Sequence, residues 1–268
     1  MSFLRPHPWI AALTLALAGA GCFATQPDVP EGQGADKVSR AEYDVATDEW
    51  SHGRMRSAMA HAMRASDLDE TYADAHHLVA ILYLALCQTE NDCRLEEAER
   101  YARKALKADP DHRAARHTLG VILVQERKFD KAIEVLRPLA EDITYRTPEL
   151  AWYDLGGAYL GRGDVERAIE AETKALALRP AFCWANYRLG LAYEKRGDYP
   201  RAIDELSKAV EPVAPACRNL QDAYEARGRL QRKVGHEDEA KRDFETCAKL
   251  GASTESGRVC TAAVKTSG

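Results

Sequence analysis

Two residue types in this chain could do chemistry in number: seven cysteines and eight histidines. The histidines gather at His76 and His77 and again at His112 and His117. Two histidines that share a metal on one helix sit four residues apart, because i and i+4 lie on the same face. His112 and His117 are five apart, and His76 and His77 point in different directions. That spacing gives exposed or groove histidines rather than ligands. The stretch "LGGAYLGRGD" is rich in glycine, but its glycines fall at helix-packing and turn places, not in a phosphate loop. No Gly-x-Ser-x-Gly, P-loop or His-Glu-x-x-His occurs. We therefore expect no catalytic residue, no cofactor and no metal.

The cysteines divide into one and six. Cys22 ends an apolar run, "IAALTLALAGAG", twelve residues long and preceded by Arg5. That is the length of a signal-peptide core rather than of a spanning helix. Gly19, Ala20 and Gly21 before Cys22 resemble a bacterial lipobox, which implies cleavage after residue 21 and lipidation of Cys22. By resemblance to the sorting rule of enteric lipoproteins, Phe23 in place of Asp favours the outer membrane, with the protein facing the periplasm. Acyl chains on one cysteine would hold it there, since each buried methylene contributes ~0.8 kcal/mol. Residues 22–38, with "FATQPDVPEGQGAD", read as a flexible tether.

The other six are Cys87, Cys93, Cys183, Cys217, Cys247 and Cys260. An even set in an exported chain suggests disulfides, although six cysteines allow about 15 pairings. Cys87 and Cys93 bracket "QTEND", and a bridge there would staple a long turn. Cys247 and Cys260 could pin the C-terminal tail to the last helix. Cys183 and Cys217 are then left together, and their contact stays open. No Cys-x-x-Cys occurs, so zinc is a poor alternative.

The elements that must position these residues follow from the rest of the chain. It is 46% hydrophobic and 29% charged, with a net charge of −5. Acids and bases are interspersed, so no nucleic-acid surface is expected. A repeat runs through it. With Glu149 as position 1, Trp152 is position 4, Leu155 is 7, Gly156 is 8, Tyr159 is 11, Gly163 is 15, Ala168 is 20, Ala175 is 27 and Pro180 is 32. This resembles the tetratricopeptide repeat. The next copy starts at Cys183, with Leu189, Gly190, Tyr193, Gly197, Ala202 and Ala209 in step. Further copies give divisions at 39–72, 73–112, 113–148, 149–182, 183–220 and 221–254, followed by a tail, 255–268. The expected fold is all-α: a right-handed superhelical solenoid of six helix-turn-helix repeats.

In this repeat family, helix A positions 2, 5, 9 and 12 line the concave groove, and their spacing puts them on one stripe. Repeat one supplies Arg40, Tyr43, Thr47 and Trp50. Repeat two supplies Asp74, His77, Ile81 and Leu84, and repeat three Ala114, His117, Val121 and Val124. Repeat four gives Leu150, Tyr153, Gly157 and Leu160; repeat five gives Trp184, Tyr187, Leu191 and Glu194. The sixth turns polar: Asp222, Glu225, Arg229 and Arg232. Five consecutive apolar or aromatic repeats mark a candidate receptor surface. The opposing reading is a tight superhelix in which these groups simply meet one another. The carboxylate-clamp pattern of Lys, Arg and Asn with which some such repeats bind charged chain ends is absent, so an apolar partner segment fits better.

A lipobox, a short linker and six such repeats resemble the type IV pilus pilotins, outer-membrane lipoproteins of the Tgl, PilF and PilW type. The resemblance implies binding of secretin monomers, their outer-membrane insertion and multimerisation, and hence pilus-driven twitching or gliding motility. A general lipoprotein adaptor for cell-wall enzymes or outer-membrane assembly, or an architectural subunit of an envelope complex, is the alternative.

Overall fold

A computed structural model describes residues 34–90, 93–210, 217 and 219–266, with the side chains of 88–90 left aside. These residues form thirteen α-helices and no strand. The first pair is α1 (Ala35–Ser51) with α2 (Met55–Leu68), and the second is α3 (Ala73–Glu90) with α4 (Leu95–Ala108). Then come α5 (Arg113–Gln125) with α6 (Phe129–Ala140), and α7 (Pro148–Arg162) with α8 (Val165–Leu178). Next are α9 (Cys183–Arg196) with α10 (Tyr199–Val210), and α11 (Gln221–Lys233) with α12 (Glu237–Leu250). Helix α13 (Glu255–Thr266) closes the chain.

The pairing follows from small residues at fixed places. Gly120, Gly156, Gly190 and Gly228 each sit against the second helix of their own pair. A Cβ at Gly120 would stand 2.3 Å from Leu136 Cδ2, and one at Gly190 would stand 2.7 Å from Leu206 Cγ. On the second helices, Ala98, Ala132, Ala168, Ala202 and Ala240 are each 0% exposed, so the backbones approach closely. The tight turn inside a pair needs a left-handed residue. Gly163 and Gly197 supply it, while Arg127 takes the same place between α5 and α6 at φ 60°. Second helices stop before proline: Asp109 is extended and Arg179 non-helical ahead of Pro110 and Pro180. One core cluster runs continuously from Ala46 to Ala192, as stacked pairs require.

Cysteines are joined as Cys87–Cys93, Cys183–Cys217 and Cys247–Cys260. The second and third have Cα atoms 5.8 and 6.0 Å apart, inside the range a bridge accepts. Cys22 and the preceding leader lie outside the described residues.

Three expectations need correction. Helix α1 begins at Ala35, inside the stretch read as tether. Val38 N–H donates to Gly34 O at 3.0 Å, and Asp36 in the first turn suits the helix dipole. Buried Ser39 then ties α1 to α2 through a 2.8 Å bond to Ala65 O. The tail is helical as well: Thr254 Oγ1 accepts from Gly257 N at 2.9 Å and caps α13. Finally, His76 is neither exposed nor in the groove. It is 2% exposed, with Nδ1 at 2.7 Å from Ser66 Oγ and Nε2 at 3.0 Å from Glu70 O.

Candidate functional site: a half-buried stripe on the inner face

The first helices of successive pairs touch one another, α3 with α5, α5 with α7 and α7 with α9, which puts them on the inside of the curve. On that side Tyr43, Trp50, His77, Ile81, Leu84, His117, Val121, Val124, Leu150, Tyr153, Leu160, Tyr187 and Leu191 are all half-buried. Trp184 is 43% exposed. A hydrophobic side chain held part-way between core and water is accessible to a partner without being needed in full by the fold.

The stripe is not uniform. In its middle, polar bonds join each pair to the next. His77 Nε2 lies 2.9 Å from Thr118 Oγ1. His117 Nε2 lies 2.8 Å from Asp154 Oδ2, and Tyr145 OH lies 3.0 Å from His117 Nδ1. His112 caps α5 by accepting from Ala115 N at 3.0 Å, while its Nε2 reaches Asp74 Oδ1 at 3.0 Å. Here the stripe's histidines are engaged by side chains of the next pair, Thr118 and Asp154. Burial, with the charge of nearby His112 added, holds the His77 imidazole down to about 4.

Toward the C-terminal half the stripe is aromatic. Tyr153 meets Phe182 with ring centres 4.8 Å apart, and Trp184 meets Tyr187 edge-on at 6.5 Å. Leu150 and Tyr153 pack on the Phe182 cluster; Tyr187 and Leu191 pack on the cluster around Leu206. Burial, reinforced by Asp222 and Glu225, pushes the Tyr187 phenol up to about 12. Arg229 pairs with Glu194 and ends the apolar run.

Two residues outside the expected stripe belong to this site. Arg188 of α9 lays its guanidinium over the Tyr153 ring at 3.5 Å and donates to Tyr153 O. It can do so because position 157 is glycine: a Cβ there would stand 2.6 Å from Arg188 Nη1. Beneath it lies Glu172 of α8, 0% exposed, with Oε1 3.4 Å from Arg188 Nη1 and neither oxygen hydrogen-bonded. Burial pushes the Glu172 carboxyl well up, against the opposing pull of Arg188. Glu172 was recoverable from the register, because equivalent places hold Leu136, Leu206 and Phe244.

Among the described residues no group of His, Cys, Asp or Glu is arranged to hold a metal. No described helix is long and apolar enough to cross a membrane.

Comparison with known proteins agrees with this architecture. Tetratricopeptide repeat profiles match residues 94–144, and residues 139–181 and 185–216. The type IV pilus assembly protein PilF of Pseudomonas aeruginosa is 24% identical over 166 residues, covering 62% of this chain and 64% of that protein. The match thus spans less than two thirds of that relative's length. The crystal structure of PilW, a widely conserved type IV pilus biogenesis factor, superposes with a TM-score of 0.71 at 18% identity, covering 84% of this chain and 99% of that one. The structure of Pseudomonas aeruginosa PilF gives 0.67 at 19% identity, covering 86% and 99%. The fold and the repeat matches define the class: the described residues form an all-α superhelix carrying tetratricopeptide repeats, a fold that mediates protein–protein contact. Within that class it is similar in sequence to PilF and in fold to PilF and PilW.

Proposed function

We propose that the chain serves type IV pilus biogenesis as a pilotin. In this reading Cys22 is lipidated and anchors it to the periplasmic side of the outer membrane. The inner stripe receives an apolar, membrane-destined segment of a secretin monomer and shields it until multimerisation buries it. The anchor keeps that exchange at the bilayer. The observation that carries the reading is the stretch from Leu150 to Leu191, with its aromatics half-open, in a chain similar to a type IV pilus assembly protein. An apolar groove with aromatic anchors suits an apolar segment better than a charged chain end.

Replacing Trp184 and Tyr187 by Asp places charge on the stripe at its exposed tryptophan and at the half-buried tyrosine edge-on to it. Secretin multimers, counted as heat-resistant bands from envelope extracts, are expected to fall at least about tenfold. Multimers at wild-type level, with the variant present at wild-type abundance, would falsify the groove.

A further inference from the structure

The fold has no use for a carboxylate at position 172. Four pairs repeat one contact, a glycine of the first helix against a side chain of the second. Gly120 meets Leu136, Gly190 meets Leu206, and Gly228 meets Phe244 and the Cβ of Asp243; at Gly156 the place of Leu136, Leu206 and Phe244 is taken by a charged residue, Glu172. That residue is wholly buried and neither of its oxygens is hydrogen-bonded. Burying a carboxylate with incomplete partners is unfavourable, and a well-packed apolar residue in its place is commonly neutral or stabilising. A sequence that breaks its own local rule without a stabilising return marks a place shaped by something other than folding.

What Glu172 touches says what that is. Its neighbour is Arg188 Nη1 at 3.4 Å, and Arg188 lies on the inner face of the next pair. The guanidinium reaches it over α7 at Gly157, where no side chain stands in the way. So the adjacent glycines do different work: Gly156 admits Glu172 from behind, and Gly157 admits Arg188 from the front. Between them the guanidinium is laid on Tyr153, with 20% of the Arg188 side chain left exposed. A guanidinium is planar and weakly hydrated, so stacked on an aromatic ring it makes a flat floor compatible with apolar groups.

We propose that Glu172 is a positioning residue of the groove: acting through Arg188, it holds the guanidinium in the Gly157 notch against Tyr153 and so forms the floor on which the partner's apolar segment rests. This rests on the groove reading above, and its test separates the two. The variants are Glu172→Leu, which copies the neighbouring pairs, and Glu172→Gln, which keeps the shape. Three quantities are measured on the mature chain: thermal midpoint, the Arg188 side-chain NMR signal without partner, and affinity for purified secretin monomer from the same organism. For Glu172→Leu the midpoint is expected to stay or rise. The Arg188 signal, shifted by the Tyr153 ring current in the wild type, should move toward the free-arginine position. Affinity should fall about fivefold or more, while Glu172→Gln falls between. A role in folding alone cannot give higher stability together with weaker binding.

An unmoved Arg188 signal, or wild-type affinity in Glu172→Leu, overturns the proposal. Should Glu172→Leu fail to fold, the same two readings on Glu172→Gln decide it. Wild-type affinity in the Trp184→Asp, Tyr187→Asp variant overturns the groove itself, whatever Arg188 does.

Discussion

His77 and Glu172 are both half-buried or buried titratable groups, and they constrain the molecule differently. His77 is held neutral down to about 4, first by burial and then by His112, against an ordinary value near 6.5. Its folded value is depressed, so the unfolded chain takes up a proton between about 6.5 and 4 that the folded chain refuses. Stability is therefore lost as pH falls through that window, and the loss is complete below it. Replacing His77 by Gln should leave urea stability at pH 7 within ~1 kcal/mol. At pH 4 the variant should be more stable than the wild type by ~2 kcal/mol. Parallel pH profiles for the two proteins would exclude His77 as the cause. At this scale the sequence was half-legible. The apolar stripe could be read from spacing, because residues such as Tyr153, Trp184 and Tyr187 announce themselves by type. His76 could not be read as a surface histidine, since it occupies the register place that Trp152 holds two pairs later and is packed accordingly. Glu172 escaped because a lone acid on a second helix looks solvated until its register is compared with Leu136 and Leu206.

The helices were legible where two elements constrain each other. Gly156 with Ala168, or Gly190 with Ala202, fixes a hairpin by spacing alone, because only small residues let the backbones meet. Where that reciprocity ends, the pattern gives no warning. Helix α13 has no pair of its own, and no repeat position in the sequence announces it. It covers Ala240, Phe244 and Cys247, buries Cys260 completely, and brings Gly257 against the Gly251 carbonyl. Gln221 Nε2 donates to Cys247 O and Gly251 O at 2.7 and 2.9 Å, so α11 braces the same corner. Terminal pairs of a solenoid need such a cover. Deleting residues 255–268 should lower unfolding free energy by ~3 kcal/mol or more, from lost burial and the lost Cys247–Cys260 closure. Calorimetry of the truncated chain checks this, and an unchanged midpoint would make α13 an ornament rather than a cap.

The three disulfides are not spread evenly over the molecule. Cys87–Cys93 closes on itself within the second pair, whereas Cys183–Cys217 and Cys247–Cys260 tie α9 forward to the approach of α11 and α12 to α13. In a stacked array each pair is held by its neighbours, so local opening starts at an end without such ties. Hydrogen exchange should therefore release α1 and α2 first and α9 to α12 last. Reducing the disulfides should speed exchange in α9 to α13 and leave α5 to α8 unchanged; a uniform response would show that packing alone sets the order. The Cys183–Cys217 separation is 34 residues, the length of one repeat. Mechanically the solenoid is a spring with a yielding end and a locked one. A pull at its N-terminal side would pay out chain pair by pair and halt at Cys183. Trp184 and Tyr187, just inside that lock, would be the last of the aromatic stripe to let go.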